Sequence, residues 1–168
     1  MITEIEKDGH IFLVDKEKTA EYYATHSLCD CDGCRNFYKQ INGLFPELEK
    51  FLTEFGVDIA KPDELMWYDI YNYIEYCPCY TTIGNIEASN KYEIDFGKLK
   101  AIFYQNDDST AHIPNEQTEP YFVIEISNIA LPWITNSPFP SSPTLNDSSS
   151  SPIKKNFITR LFNKYKKE

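Results

Sequence analysis

The chain has 168 residues, which fits one domain with a tail, and its 42% apolar and 15% aromatic content is enough to build a packed core. Its 26 acidic and 16 basic residues give a formal net charge of −10, which argues against a nucleic-acid-binding body because phosphate backbones attract basic surfaces. No apolar run approaches the roughly 18 residues of a membrane-spanning helix, and the acidic first segment lacks the pattern of a signal peptide. We therefore expect a cytoplasmic protein.

The first elements predicted along the chain are a short strand and a helix. Residues 9–14 have the apolar pattern of a strand. Residues 17–28 have helical spacing, and Asp15 is placed to cap that helix at its amino terminus. The expected buried face of this helix consists of Ala20, Tyr23, Ala24 and Leu28.

Two further helices are predicted before the chain changes character. Residues 33–45 repeat apolar side chains at helical spacing, and Asp32 is placed to cap them. A third helix is expected to begin at Pro46, which suits a first helical turn, and to end at Gly56. Its expected buried stripe is Leu48, Phe51, Leu52 and Phe55.

The second half of the body predicts strands. Residues 66–83 are rich in Tyr, Ile and Thr, residues 92–103 contain two alternating runs, and residues 121–129 have the strongest strand pattern. In the first of these segments one shared face is expected to consist of Tyr68, Ile70, Ile74 and Tyr76. Because helices come first and strands later, we predict an α+β fold with amino-terminal helices packed on a mostly antiparallel sheet.

The tyrosines of this segment have two interpretations. They are Tyr68, Tyr71, Tyr73, Tyr76 and Tyr80. They can line a recognition face, since tyrosine gives contact area at a low entropy cost. The alternative, which we favour, is ordinary core and sheet packing, because aromatic residues prefer strands.

All five cysteines lie in two short clusters. The first cluster contains Cys29, Cys31 and Cys34, with His26 just before it, and the second contains Cys77 and Cys79. An odd number of cysteines without a signal peptide argues against a disulfide framework, so we expect free thiols.

The first cluster has a spacing that suits a metal ion. Zinc takes four nitrogen or sulfur ligands in a tetrahedron, and Gly33 is expected to allow the tight turn that such a site needs. His26, Cys29, Cys31 and Cys34 are one candidate ligand set; in another, Cys77 or Cys79 replaces His26 and ties the helices to the sheet. The alternative is that these residues are reduced cysteines that pack as small apolar groups.

A redox role for the same segment is disfavoured by its charges. Cys31 and Cys34 have the C-x-x-C spacing of a redox dithiol, but Asp30 and Asp32 flank the leading cysteine. Negative neighbours raise the pKa of a thiol and reduce its thiolate fraction. Arg35 offsets this effect only in part.

Three strings carry a resemblance to known proteins: CDCDGCRNFYKQ, FPELEKFLTEFGVDIAKPDE and IALPWI. Together they resemble a small bacterial family of uncharacterised proteins with a C-x-C-x-x-C-R-N motif. The resemblance covers about residues 20–134. It implies no activity, cofactor or residue role.

A change in composition divides the chain into three predicted parts. A globular domain covers residues 1–135, a Ser/Pro-rich flexible linker residues 136–152, and a basic amphipathic helical tail residues 153–168. The apolar residues of the tail recur at helical spacing, with its basic residues on the other face. Such a helix can lie on an anionic membrane surface, bind the groove of a partner, or fold back on the acidic body.

The sequence contains no Ser-His-Asp motif, no P-loop and no dinucleotide-binding fingerprint. We therefore expect a non-catalytic acidic module that binds an unidentified protein partner, with a structural cysteine segment in which zinc is a candidate metal. One version is an immunity-type or inhibitor-type protein whose acidic surface neutralises a basic partner. The alternatives are a metal- or thiol-dependent enzyme that uses the cysteines, and a peripheral membrane protein held by residues 153–168.

Overall fold

The computed structural model describes residues 1–70, 73–87, 92–105, 117 and 119–140. Eight strands and three α-helices lie within these residues. In chain order they are β1 (Ile2–Lys7), β2 (His10–Asp15), α1 (Lys16–Thr25), α2 (Asp32–Tyr38), α3 (Pro46–Glu54), β3 (Glu64–Ile70), β4 (Tyr73–Ile86), β5 (Tyr92–Phe96), β6 (Leu99–Gln105), β7 (Tyr121–Ser127) and β8 (Ile129–Pro132). The predicted α+β class is confirmed, although β1 was not expected.

The sheet is organised around its longest strand, β4. The main strand order is β1-β2-β4-β7-β6-β5, and β3 and β8 also pair with β4. Every pairing between the described strands is antiparallel. Because β4 has 14 residues, it has room for four partners along its two edges.

The main core lies between the helices and one face of the sheet. Phe37 of α2 packs on Tyr76 of β4, with ring centroids 5.2 Å apart. Phe55, which follows α3, meets Phe12 of β2 edge to face at 5.3 Å. Leu48 and the other apolar residues of the predicted α3 stripe are buried in the same cluster. Aromatic pairs of this kind contribute to stability beyond the area that they bury.

The first helix is capped as predicted, but of its expected buried face only Tyr23 is buried. The Asp15 carboxylate accepts a 3.2 Å hydrogen bond from the backbone N–H of Lys18. The residues of α1 that are buried are Thr19 and Tyr23, whereas Ala20 and Ala24 are exposed. Thr19 faces inward because its hydroxyl donates to the Asp15 carbonyl and accepts from the Ile83 backbone N–H. Polar contacts, rather than apolar spacing, therefore orient this helix. Leu28, expected on its buried face, is exposed beyond the end of the helix.

The boundaries of the next two helices correct one prediction and confirm another. The N-cap of α2 is Cys31, and Asp32 is the first residue of the helix rather than its cap. The helix ends at Tyr38, well before the expected residue 45. The third helix begins at Pro46 as predicted, and Gly56 follows it with a φ of 80°, a conformation that favours glycine.

The prediction that Tyr68, Ile70, Ile74 and Tyr76 share one face is wrong. The chain reverses between β3 and β4, and the residue opposite Tyr68 is Glu75, while Tyr73 lies opposite Ile70. Directly opposed residues of an antiparallel pair point to the same side. Ile74 and Tyr76 therefore face the helices, whereas Tyr68 and Ile70 lie on the other side of the sheet with Tyr73.

The predicted strand over residues 121–129 is divided in two. Asn128, between β7 and β8, adopts a φ of 68°. A left-handed residue breaks the extended backbone, and asparagine tolerates this conformation better than most residues. The two strands pair with different parts of β4. Before the break, β7 pairs with Cys79–Ile83, and after it, β8 pairs with Tyr73–Tyr76.

Several predictions concern residues that the structure does not describe. The predicted basic tail at 153–168 lies outside the described residues, as do residues 141–152 of the predicted linker. The first residues of that linker are described: Phe139 packs on Trp133 with ring centroids 6.1 Å apart. None of the helices that the structure describes has the length and hydropathy needed to cross a bilayer.

Candidate metal site

The connection between α1 and α2 carries a three-cysteine cluster formed by Cys29, Cys31 and Cys34. Residues 26–30 belong to no helix or strand, and Cys31 is the N-cap of α2. The Cys31 sulfur accepts a 3.5 Å hydrogen bond from the Cys34 backbone N–H. The three Sγ atoms lie within 4.8 Å of one another. Cys29 and Cys31 are exposed, whereas Cys34 is buried.

The buried side of α2 fixes this cluster against the sheet. The amide nitrogen of Asn36 donates to the Tyr76 hydroxyl at 2.9 Å and to the Pro132 carbonyl at 3.0 Å. Its amide oxygen accepts from the Ile134 backbone N–H at 2.8 Å. The Tyr76 hydroxyl donates in turn to the carbonyl of Gly33. Asn36 is fully buried and both ends of its amide are paired, so its hydrogen bonds hold α2 in place against the sheet.

Gly33 serves this site in a different way from the one predicted. It does not have the positive φ of a tight turn, which five other glycines have. A Cβ atom at position 33 would instead overlap the indole ring of Trp67 on β3. The small residue thus lets α2 approach the sheet closely, because any side chain would displace the tryptophan.

The three thiols differ in their electrostatic environments. Hydrogen bonds to the Cys29 sulfur, first from the Cys31 backbone and then from the neighbouring thiols, lower the pKa of Cys29. Burial, and after it the two neighbouring sulfurs, raises the pKa of Cys34 well above that of an ordinary thiol. The Asp30 carboxylate therefore does not decide the acidity of Cys29, since hydrogen bonds outweigh it.

Tyr38 lies beside the buried member of the cluster. Burial raises the pKa of its phenol, and interaction with Cys34 adds to this effect. Tyr38 was not among the predicted site residues. The signal was present, because residues four apart in a helix lie on the same face and Tyr38 is four residues after Cys34.

Two charged neighbours of the cluster, Arg35 and Asp32, are paired with each other. The Arg35 guanidinium donates to the Asp32 carboxylate at 2.6 Å, and this contact lowers the pKa of Asp32. Both side chains are about half exposed, so water screens the pair strongly.

His26 is directed away from the cluster. Its Nδ1 atom lies 3.8 Å from the Asp63 carboxylate, whose side chain is only 2% exposed. That carboxylate also accepts hydrogen bonds from the hydroxyl of Tyr22 and the backbone N–H of Thr81. Asp63, which the sequence analysis missed, therefore joins α1 to β4, and His26 belongs to this group. No local motif marks Asp63, because its partners come from distant segments.

The second cysteine pair lies on the other face of the sheet. Cys79 packs with Tyr121 and Val123 in a small apolar cluster that is separate from the main core. Cys77 lies on the same face, two residues earlier on β4, and burial raises its pKa to about 11. Successive side chains of a strand point to opposite faces. Because the Tyr76 side chain reaches α2, the side chains of Cys77 and Cys79 point away from it, and neither cysteine joins the three-cysteine cluster.

The geometry of the cluster suits a soft cation. Zn–S bonds of about 2.3 Å in a tetrahedron place the sulfur atoms about 3.8 Å apart. Side-chain rotation is enough to bring three Sγ atoms together from separations within 4.8 Å. Among the described residues, no fourth His, Cys, Asp or Glu joins the group. The three cysteines could therefore coordinate a metal ion.

A groove elsewhere on the surface does not include these thiols. It has a volume of about 410 Å³ and lies between α1 on one side and α3 with the segment that follows it on the other. Lys16, Glu49, Asp58 and Lys61 supply its charged walls.

Comparison with known proteins finds no matching family model, no similar curated protein and no similar solved structure.

Proposed function

We propose that the protein is a non-catalytic binding module in which Cys29, Cys31 and Cys34 hold a structural zinc ion. The observation that carries the proposal is the convergence of three Sγ atoms within 4.8 Å at the start of α2. Thiolates are soft ligands, and among common cellular metals they favour zinc and monovalent copper. We expect a fourth protein ligand to complete the tetrahedron, because structural zinc sites are closed.

A structural role fits the position of the cluster. Residues 26–30 belong to no helix or strand, whereas α2 is anchored by the buried Asn36. A metal bound at the cluster ties Cys29, on the irregular segment, to Cys34, on the anchored helix. Binding therefore reduces the freedom of the connection between α1 and α2, and part of the binding free energy becomes folding free energy.

The proposal is tested by titrating metal-free full-length protein with Co²⁺ and then Zn²⁺. We expect one equivalent of Co²⁺ to give the near-ultraviolet charge-transfer absorption of thiolate ligands, and Zn²⁺ to displace it. Loss of a residue that hydrogen-bonds to a metal ligand, an outer partner, lowers metal affinity about 10- to 100-fold. Cys31→Ser removes a ligand itself and should lower the affinity by more than this. Cys77→Ser is the matched control, since it removes a thiol from the other face of the sheet. Equal affinity in both variants would exclude the cluster as the site.

The rival enzyme function makes a different prediction for the same cobalt protein. Catalytic zinc sites keep three protein ligands and an exchangeable water, and three is the number of cysteines in this cluster. Azide or imidazole should leave the cobalt spectrum unchanged if the site is structural. A saturable spectral shift on adding either ligand would favour the metal-dependent enzyme.

The binding role is supported by an exposed aromatic patch at the end of the β3–β4 pair. The patch consists of Tyr68, Ile70 and Tyr73, which are 49%, 37% and 53% exposed. These residues lie on the sheet face that is turned away from the helices. Tyrosine is enriched where proteins meet, and the net charge of −10 favours a basic partner.

A paired capture experiment tests this second part. We expect the immobilised protein to retain a basic protein from host extract at low salt, and the variant with both Tyr68→Ser and Tyr73→Ser to lose it. Glu4→Ser, an exposed change on β1, is the control for charge and handling. Retention of the same proteins by all three forms would reject the patch as the binding face.

A further inference from the structure

We propose that Cys31 and Cys34 form a peroxide-oxidisable dithiol whose disulfide removes two of the three metal ligands. The inference deepens the zinc proposal, and its regulatory part depends on that proposal. It assigns a modification site, with a hydroperoxide as the reacting class of molecule.

The N-cap geometry holds the two sulfurs together. Cys31 has an extended backbone conformation at the start of α2, and its Sγ atom lies 3.5 Å from the backbone nitrogen of Cys34. The two sulfurs are within 4.8 Å of each other. A disulfide has an S–S bond of about 2.05 Å, and rotation of the two side chains about their Cα–Cβ bonds shortens the distance without moving the helix.

Exposure gives the two cysteines different roles. Cys31 is exposed and can meet a dissolved oxidant, whereas Cys34 is only 5% exposed. The accessible sulfur therefore reacts first and the shielded sulfur reacts second. Cys29 is also exposed and shares hydrogen bonds with the neighbouring thiols, but it lies on the irregular segment, whereas Cys31 is fixed as the N-cap of the helix that carries Cys34.

The reaction balances in two steps. The Cys31 thiolate attacks the terminal oxygen of the hydroperoxide, the O–O bond breaks, and the alkoxide or hydroxide leaves and takes up a proton. Cys31 is then a sulfenic acid. The Cys34 sulfur attacks it, the S–S bond forms, and the sulfenic hydroxyl leaves with the thiol proton as water. The two sulfurs lose two electrons, which reduce the peroxide.

Oxidation and metal binding compete for the same atoms. A disulfide sulfur is not a thiolate and no longer acts as a zinc ligand. After oxidation only Cys29 remains of the three-cysteine cluster, and a single thiolate does not retain the ion against water. Reduction of the disulfide by an excess of thiol restores the site.

The test treats zinc-loaded and metal-free full-length protein with hydrogen peroxide. Thiol counting, peptide mapping and a chromogenic zinc indicator are the readouts. We expect the loss of two free thiols from the five present, a mapped bridge between Cys31 and Cys34, and release of the bound zinc. Cys29→Ser and Cys77→Ser should still form the bridge. Cys34→Ser should not form the bridge. If Cys34→Ser does not fold, Cys31→Ala, which changes an exposed residue, replaces it and should likewise form no bridge.

The outcomes separate this inference from the zinc proposal. If the protein binds no zinc, the bridge still forms in the metal-free chain, and only the regulatory part fails together with the proposed function. Zinc that stays bound after the bridge has formed would overturn the competition alone. A bridge to Cys29, or accumulation of Cys31 sulfinic acid beside an unmodified Cys34, would overturn the assigned dithiol.

Discussion

At Cys34, burial and metal binding place opposite demands on one side chain. Burial favours the neutral thiol, so the pKa of Cys34 is raised, whereas a metal requires the thiolate. The Tyr38 phenol beside it can stabilise the thiolate by donating a hydrogen bond. An outer partner of this kind orients a ligand and increases metal affinity.

Removing that phenol should weaken metal binding without removing a ligand. We expect Tyr38→Phe to lower zinc affinity about 10-fold, the lower end of the range for outer partners. The measurement is competition with a chromogenic chelator. Tyr73→Phe is the control, because this exposed tyrosine lies on the other sheet face. An unchanged affinity in Tyr38→Phe would show that the phenol does not support the thiolate.

The contact between Gly33 and Trp67 makes a second prediction at this scale. A Cβ atom at position 33 would overlap the indole ring, so Gly33→Ala should destabilise the fold by about 1–3 kcal/mol, as overpacking does. Urea unfolding measures the change. Trp67→Leu provides space for the new methyl group, and the double variant should therefore cost less than the sum of the two single changes. Strict additivity would contradict the proposed overlap.

At the scale of elements, short polar contacts decide where helices begin. Asp15 caps α1 with its carboxylate, and Cys31 caps α2 with its sulfur. The first cap was predictable because aspartate is a common N-cap residue. The cap of α2 was not predictable. Asp32 is the better cap by residue type, but the helix already begins at Asp32, so the N-cap position falls on Cys31.

The cap of α1 predicts how stability responds to acid. The hydrogen bond from the Lys18 backbone N–H lowers the pKa of Asp15 below its ordinary value of 3.8. A carboxyl group with a lowered pKa in the folded state stabilises that state above the ordinary value, and this contribution is lost as the pH falls through the folded value. We expect Asp15→Asn to make the unfolding free energy less sensitive to pH between about pH 5 and pH 2. Chemical unfolding of both forms across this range measures the slope, and equal slopes would contradict the assignment.

At the scale of the whole molecule, the metal site is local while its support is not. The three cysteines lie within six consecutive residues, so an unfolded chain can still bring them to one ion. Asn36 and Trp67, by contrast, join α2 to β4, β8 and β3. Metal affinity is therefore expected to depend only partly on folding.

This partial dependence gives a thermal prediction. A ligand at about 100 times its Kd stabilises by about 2.7 kcal/mol if only the folded state binds it, which corresponds to about 5–10 °C in Tm for a chain of this size. Because the unfolded chain retains some affinity, we expect Zn²⁺ to raise Tm by less than this. Scanning calorimetry with zinc and with chelator measures the difference, and Cys31→Ser should abolish it. No effect of chelator on wild-type Tm would exclude a structural zinc.

The sequence by itself determined the features that depend on near neighbours. The α+β class, the Asp15 cap, the start of α3 at Pro46 and the grouping of Cys29, Cys31 and Cys34 follow from spacing and local chemistry. Only the tertiary structure decided the features that depend on distant segments. Asp63 draws His26 away from the cysteines, Tyr76 separates Cys77 from α2, and the reversal between β3 and β4 exposes Tyr68. The reason is physical: side-chain direction in a sheet is set by strand pairing, and pairing joins residues that are far apart in the chain.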